Sequence, residues 1–216
     1  MYKKIWGLKQ LEKMRFPYPP YVVIDISKDA PTDMKEYVLR KVRECGIPFA
    51  EGDRVGVTIR VSMPGALDKL AEHGGLHVID EEDILQRVLR KYHQYKPHAK
   101  VIVQHTVDAR CSGTILKEIN YAVIESVFGD APPLLEGRIT NYEKWFFFLT
   151  ARKWSKEKVC KYEGREVAIL SSDDLRRFEG YIDLLPNNTY VEWSLSKSGK
   201  LYFYEYCELG AGHAGL

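Results

Sequence analysis

The sequence from residue 189 is Thr189-Tyr190-Val191-Glu192-Trp193-Ser194-Leu195, then the polar segment Ser196-Lys197-Ser198-Gly199, then Lys200-Leu201-Tyr202-Phe203-Tyr204-Glu205. Two apolar, aromatic-rich runs on either side of a short polar segment are typical of paired strands, and a glycine allows a tight reversal. The sequence therefore predicts a β-hairpin that carries Glu192 on one strand and Glu205 on the other.

The two glutamates of this hairpin have two interpretations. Carboxylate oxygens are the ligands that a hard cation such as Mg²⁺ prefers, so one glutamate on each strand predicts a site for a metal bound with a nucleotide. Exposed glutamates are also common on half-buried sheets, where they face solvent. The hairpin taken alone favours this second interpretation.

Composition excludes several classes of protein. The 216 residues carry a net charge of only +2, so no strong basic field predicts binding to nucleic acid. No apolar run reaches the roughly 18 residues needed to span a membrane, and the N-terminus lacks the apolar core of a signal peptide. The four cysteines form no Cys-x-x-Cys pair, which argues against a zinc site. We therefore expect a cytoplasmic protein with reduced thiols.

The order of predicted elements indicates an α+β protein. The first half alternates helices, at about residues 5–14, 33–45 and 81–95, with a few strands. The second half is rich in strands and has one helix, at about 171–185. We therefore predict two α+β lobes, residues 1–98 and 99–216, with a cleft between them and the segment 95–98 as their joint.

Five segments carry a family resemblance, each weak alone but all in the family's order: Phe16–Val22, Val57–Ser62, Val101–Val107, Val123–Gly129 and the hairpin. Together they resemble the N-terminal nucleotide-binding domain of phosphoenolpyruvate synthase and pyruvate phosphate dikinase, here shortened and standing alone. The resemblance implies an ATP-grasp fold that binds ATP and Mg²⁺.

The resemblance assigns two cations to the phosphates of ATP. An ungapped count back from Pro17 places Lys4 on the family's phosphate-contacting lysine, although the glycines that surround that lysine are missing here. Val57-Thr58-Ile59-Arg60-Val61-Ser62 is similar to the family's strand ending in Val-Arg-Ser-Ser, which makes Arg60 a phosphate clamp. Lys4 and Arg60 are thus the implied catalytic residues. The alternatives are a fraying terminal lysine and a surface arginine on an edge strand.

Three further residues are implied to bind nucleotide. Val101–Val107 resembles the strand leading to the family's hinge, where backbone groups meet adenine, so Gln104 and Val107 are the hinge residues. Val123-Ile124-Glu125-Ser126-Val127-Phe128-Gly129 is similar to the family's Val-Ile-Glu-Ala-x-Trp-Gly, which places Glu125 in or near the nucleotide site.

The hairpin is the last segment of the resemblance. Here the sequence keeps one residue of the family pattern and replaces others. Glu192 is retained, and Glu205 replaces a glutamine, so both are implied Mg²⁺ ligands. Tyr190 replaces an aspartate and Cys207 replaces an arginine. The hairpin therefore argues more firmly for the fold than for retained catalysis.

Several functions remain open from the sequence. The first is a kinase-like phosphotransfer domain whose acceptor, such as a phosphohistidine protein, is a separate molecule. The second is a degenerate ATP-grasp protein with a regulatory role and no catalysis. A third is an interaction protein that binds through Trp145-Phe146-Phe147-Phe148, although such a run is also typical of a buried strand. ATP-dependent ligation through an acyl-phosphate is a further hypothesis, with no acceptor site visible in the sequence.

Overall fold

The predicted hairpin is present in a computed structural model, which describes residues 2–25, 33–44, 56–65, 80–95, 98–135 and 137–209. Its strands are β10 (Thr189–Ser196) and β11 (Leu201–Glu208). The other described elements, in chain order, are α1 (Lys3–Lys13), β1 (Tyr21–Asp25), α2 (Met34–Glu44), β2 (Val57–Ser62), α3 (Glu81–Tyr95), β3 (Lys100–His105), β4 (Ala109–Lys117), β5 (Tyr121–Phe128), α4 (Pro132–Leu135), β6 (Glu143–Phe148), β7 (Lys153–Lys158), β8 (Cys160–Tyr162), β9 (Arg165–Val167) and α5 (Ser172–Leu184).

The chain divides into two compact units. The first comprises residues 1–9 and 19–108, and the second comprises residues 10–18 and 109–216. Strand β3 follows the predicted boundary after residue 98, yet it pairs within the sheet of the first unit. The boundary at 98/99 stays a prediction, and Lys96 and Pro97 of the predicted joint lie outside the described residues.

The first unit is built on a three-stranded antiparallel sheet in the order β1-β3-β2. Alternate residues of its strands, among them Val22, Ile59 and Val103, are buried in one core with Val38 of α2 and Val88 of α3. This alternation is the period of a strand that packs one face on helices. The opposite face carries several polar side chains, among them Thr58, Arg60 and Gln104.

The second unit contains a six-stranded antiparallel sheet in the order β11-β10-β4-β5-β6-β7, beside the small β8-β9 ribbon. Helix α5 packs on one face of the large sheet, where the rings of Phe178 and Trp193 lie 4.7 Å apart. Both units thus combine helices with antiparallel strands, which confirms the predicted α+β class. Among the described helices, none has the length and apolar character that crossing a membrane requires.

Both ends of α5 are tied to β4. At the N-terminus, Asp174 accepts hydrogen bonds from the backbone N–H and the hydroxyl of Ser171, and it pairs with Arg110 at 2.8 Å. Burial acts to raise the pKa of Asp174, but these bonds outweigh it and hold that pKa below its usual value. At the C-terminus, the buried Lys117 donates to the carbonyls of Ile182 and Leu185. These contacts hold α5 under the sheet.

The N-terminal cap of α5 gives a stability prediction. Ser171 and Asp174 form a reciprocal capping box, so Ser171→Ala removes one side-chain acceptor from the first turn. We expect the free energy of unfolding to fall by about 1 kcal/mol in urea titrations. Ser172→Ala, one residue later and already helical, is the matched control and should change the free energy by less than about 0.5 kcal/mol. Equal effects of the two substitutions would contradict the assigned cap.

Candidate functional site

A row of polar side chains crosses five strands of the large sheet. Glu205 pairs with Glu192, Glu192 pairs with Thr114, Thr114 pairs with Glu125, and Glu125 pairs with Lys144. Residues directly opposite one another in an antiparallel sheet point to the same face. These five residues, called the polar row here, therefore lie on one face. Trp193, one residue after Glu192, points to the opposite face, which packs on α5.

Glu192 and Glu205 form the closest carboxylate pair of the polar row. Their Cβ atoms are expected to lie about 5 Å apart, because the two residues are direct cross-strand partners. A β-bulge follows at once, since Trp193 pairs with Phe203 and Tyr204 is left over. Two like charges directly opposite one another destabilise a sheet, and a cation placed beside them would offset that repulsion. Bulges often adjoin functional sites, where they change the direction of a side chain.

Tyr190 and Cys207 complete the local environment of the carboxylate pair. The Tyr190 hydroxyl donates to Oε1 of Glu192 at 3.2 Å, and the Cys207 thiol lies 3.7 Å from Oε1 of Glu205. Burial, followed by the charges of Glu192 and Glu205, raises the pKa of Tyr190 far above its usual value, so the hydroxyl stays a donor. Tyr190 stands where the resembled family has an aspartate, and its hydroxyl supplies a polar contact at this position.

Glu125 lies further along the polar row. It is two strands from Glu192, or about 10 Å at the spacing of a sheet, so it is not a direct cross-strand partner of either hairpin glutamate. Lys144 Nζ lies 3.9 Å from Glu125 Oε1 and 3.3 Å from Glu157 Oε2. Sequence reasoning missed Lys144, although its alternation with Phe146 and Phe148 places it on their face of β6.

Two predicted nucleotide-binding residues are brought together in the first unit. Arg60 of β2 and Gln104 of β3 lie on the face opposite the apolar core, and Arg60 Nη2 donates to Gln104 Oε1 at 2.7 Å. Gln104 is 1% exposed, and its Nε2 lies 3.4 Å from the carbonyl oxygen of Pro19. Gln104 thus holds the guanidinium of Arg60, a role that the hinge assignment did not include.

The two remaining predicted residues also belong to the first unit. Lys4 lies in α1 and is 6% exposed, so it is a buried helical lysine rather than a fraying one. Val107 lies between β3 and β4 and is also buried. The structure places Lys4, Arg60, Gln104 and Val107 in the first unit and Glu125, Glu192 and Glu205 in the second. Their functional roles stay predictions.

The Glu192–Glu205 pair fits the chemistry of Mg²⁺. In phosphate-transferring sites this ion is held through one or two carboxylates, while water and substrate phosphates fill its other positions. Within the described ranges, no group of three or more His, Cys, Asp or Glu residues is arranged to hold a metal by itself. The donor set therefore suits an ion that arrives with a polyphosphate, and not a structural metal enclosed by protein ligands.

The aromatic run Trp145-Phe146-Phe147-Phe148 is strand β6, and its two faces differ. Phe147 is fully buried and packs on Trp154, with ring centroids 4.6 Å apart. Phe146 and Phe148 point to the other face, where Phe148 is 44% exposed. The interpretation as a buried strand is thus correct for one face only.

This chain is similar in fold to two solved structures, both of synthetases. One is D-alanyl-alanine synthetase A from Vibrio cholerae O1 biovar eltor strain N16961, with a TM-score of 0.52 and 12% identity over 96% of this chain and 55% of that one. Another is N5-carboxyaminoimidazole ribonucleotide synthetase in complex with ADP, with a TM-score of 0.50 and 12% identity over 95% of this chain and 45% of that one. These likenesses show that this chain has an ATP-grasp-like fold.

No protein family and no curated protein matches the sequence. The chain spans about half the length of the solved structures it matches. The predicted ATP-grasp fold is confirmed, while the phosphoenolpyruvate synthase and pyruvate phosphate dikinase family is not indicated by these likenesses.

Proposed function

We propose that this chain binds ATP together with Mg²⁺ and serves an ATP-dependent ligation. The observation that carries the proposal is the in-register pairing of Glu192 with Glu205 on the polar face of the large sheet. The ATP-grasp-like fold supports it, and the complex of one similar structure with ADP agrees with it.

The residues of the second unit are proposed to bind the metal ion that accompanies the phosphates of the nucleotide. Glu192 and Glu205 hold the ion, and the carboxylate of Glu125 with the ammonium of Lys144 extends the charged row beside them. When bound, Mg²⁺ neutralises phosphate oxygens and so lowers the cost of charge that develops during phosphoryl transfer. Two opposed carboxylates lose their mutual repulsion when they share this ion, which ties metal binding to the local stability of the hairpin.

The residues of the first unit are proposed to bind the phosphates and the base. Arg60 offers a planar fork of donors, and its bond to Gln104 fixes the direction of that fork. Lys4 adds a point charge that phosphate oxygens attract. Gln104 and Val107 stay assigned to the hinge that contacts adenine.

Phosphoryl transfer to a separate acceptor is the second candidate. It is favoured by the ordered resemblance of five sequence segments to the phosphoenolpyruvate synthase domain. A phosphohistidine protein as the acceptor is a prediction of that resemblance alone. Ligation and phosphoryl transfer share the same Mg²⁺–ATP site, so the first experiment tests both.

Titration calorimetry of the wild-type chain with ATP tests the proposed function. We expect binding at millimolar ATP or below with Mg²⁺ present, and a weaker interaction in EDTA, because the cation that would join the phosphates to the two carboxylates is then absent. ADP should bind in the same way, and a nucleoside without phosphate should bind far more weakly. No heat with millimolar ATP and Mg²⁺ would rule out ligation and phosphoryl transfer together.

A further inference from the structure

Four side chains on one face of the hairpin form two cross-strand pairs. Glu192 faces Glu205, and in the next pair on this face Tyr190 faces Cys207. The two pairs also contact each other along each strand. The Tyr190 hydroxyl donates a hydrogen bond to Glu192, and the Cys207 thiol contacts Glu205. Both contacts reach the atom Oε1 of the carboxylate. Each proposed metal ligand thus has a hydrogen-bond donor two residues away on its own strand.

A donor bound to one carboxylate oxygen limits how the carboxylate can rotate. Glutamate has three rotatable side-chain bonds, and two like-charged glutamates in opposite positions tend to turn apart. The hydroxyl of Tyr190 counters this for Glu192, because the 3.2 Å bond fixes the position of Oε1. The thiol of Cys207 is a weaker donor and acts less strongly on Glu205.

We propose that Tyr190 is a positioning residue for the metal ligand Glu192, and that Cys207 has a weaker matching role for Glu205. The inference rests on the proposed function, since it assigns the contacts that orient the two metal ligands. Residues that hold a metal ligand by a hydrogen bond contribute to metal affinity without touching the ion. Tyr190 thus supports Glu192, two residues along the same strand, and is not itself a metal ligand.

The variant Tyr190→Phe tests this role, because it removes the hydroxyl and keeps the ring. Tyr206→Phe is a matched control: Tyr206 also bonds a glutamate two residues away, Glu208 at 3.1 Å, but it pairs with Val191 and so lies on the opposite face of the hairpin. The probe is Mn²⁺, a hard cation with a paramagnetic signal, titrated in the presence of ATP. Free Mn²⁺ is measured by electron paramagnetic resonance.

We expect Tyr190→Phe to weaken Mn²⁺ binding about tenfold, and Tyr206→Phe to change it by less than about twofold. A second prediction uses Glu192→Gln as background, where Tyr190→Phe should cause little further loss because the oriented ligand is already gone. A purely structural role for Tyr190 would lower the thermal midpoint in EDTA and leave the metal affinity of the folded protein unchanged.

The outcomes separate this inference from the proposed function. If the wild-type chain binds no Mn²⁺ with ATP, the proposed function fails. If it binds and Tyr190→Phe lies within twofold of the wild type, only the positioning role is overturned. If Tyr190→Phe does not fold, Cys207→Ala decides: a loss of about threefold in Mn²⁺ affinity supports the inference, and no loss overturns it.

Discussion

Replacing Gly113 with alanine is expected to lower the free energy of unfolding by about 3 kcal/mol or more. Gly113 lies in β4, which pairs with β5 and β10 on its two sides. A methyl group at this position would overlap the carbonyl oxygen of Glu125 and lie 2.9 Å from Cζ2 of Trp193. The Glu125 oxygen belongs to the backbone of a central strand, so no side-chain rotation relieves the overlap.

The same substitution also tests the polar row. Thr114 follows Gly113, Glu125 carries the overlapped carbonyl, and Glu192 precedes Trp193. If the Gly113→Ala variant folds, at least one of these strands must have shifted to relieve the overlap. We therefore expect any folded fraction of the variant to bind Mg²⁺–ATP more weakly than the wild type in the calorimetric titration.

Gly180→Ala is the matched control for Gly113→Ala. Gly180 is an exposed residue of α5, and a methyl group there would meet no heavy atom within 4 Å. Alanine in a helix interior is more stable than glycine by roughly 0.5–1 kcal/mol. Urea titrations should therefore give opposite signs for the two substitutions. A loss of less than 1 kcal/mol for Gly113→Ala would show that β4 and β5 separate more easily than the close approach implies.

Most elements of the fold could be predicted from the sequence because their periodicity is local. The alternation of Val57-Thr58-Ile59-Arg60-Val61 gives β2, and Asp80, just before the predicted helix 81–95, accepts a hydrogen bond from the N–H of Asp83. Strand β7 was missed, because Lys153-Trp154-Ser155-Lys156-Glu157-Lys158 is mostly charged and lies at the edge of the sheet. Edge strands often carry charge in this way.

The arrangement of the site was less visible in the sequence, because it depends on register. The position of Glu192 and Glu205 on facing strands depends only on the hairpin, which is a local element, so it could be predicted. The addition of Thr114, Glu125 and Lys144 required the order β10-β4-β5-β6, in which residues up to about 80 positions apart become neighbours. No local pattern carries that order, so the polar row emerged only in three dimensions.

Tyr190 shows why comparison of single positions misjudges such a site. An aspartate-to-tyrosine change removes a carboxylate, which suggests lost chemistry. In the hairpin, however, the longer side chain carries its hydroxyl to Glu192 on the same strand, and burial keeps that hydroxyl protonated. The polar function has moved from a charged group to a neutral donor.

The double variant Glu192→Gln with Glu205→Gln is expected to lower the affinity for ATP in the presence of Mg²⁺ by at least about 100-fold. Loss of a residue that only orients a ligand costs about 10- to 100-fold in metal affinity, and the removal of both direct ligands should exceed that cost. Glutamine keeps the size of each side chain and removes only its charge. Glu208→Gln, which makes the same substitution once in strand β11, is the control and should bind Mg²⁺–ATP as the wild type does.

Titrations in EDTA distinguish the loss of a metal site from a loss of structure. Without a cation, the double variant is no longer expected to bind ATP more weakly than the wild type. Without a cation, the carboxylates of Glu192 and Glu205 repel the triphosphate, and their neutralisation removes that repulsion. The double variant should therefore bind metal-free ATP at least as tightly as the wild type, while it binds Mg²⁺–ATP far more weakly. A general loss of structure would weaken both titrations together. If the double variant binds Mg²⁺–ATP like the wild type, the metal site is not at this hairpin, whatever nucleotide the ATP-grasp-like fold accepts.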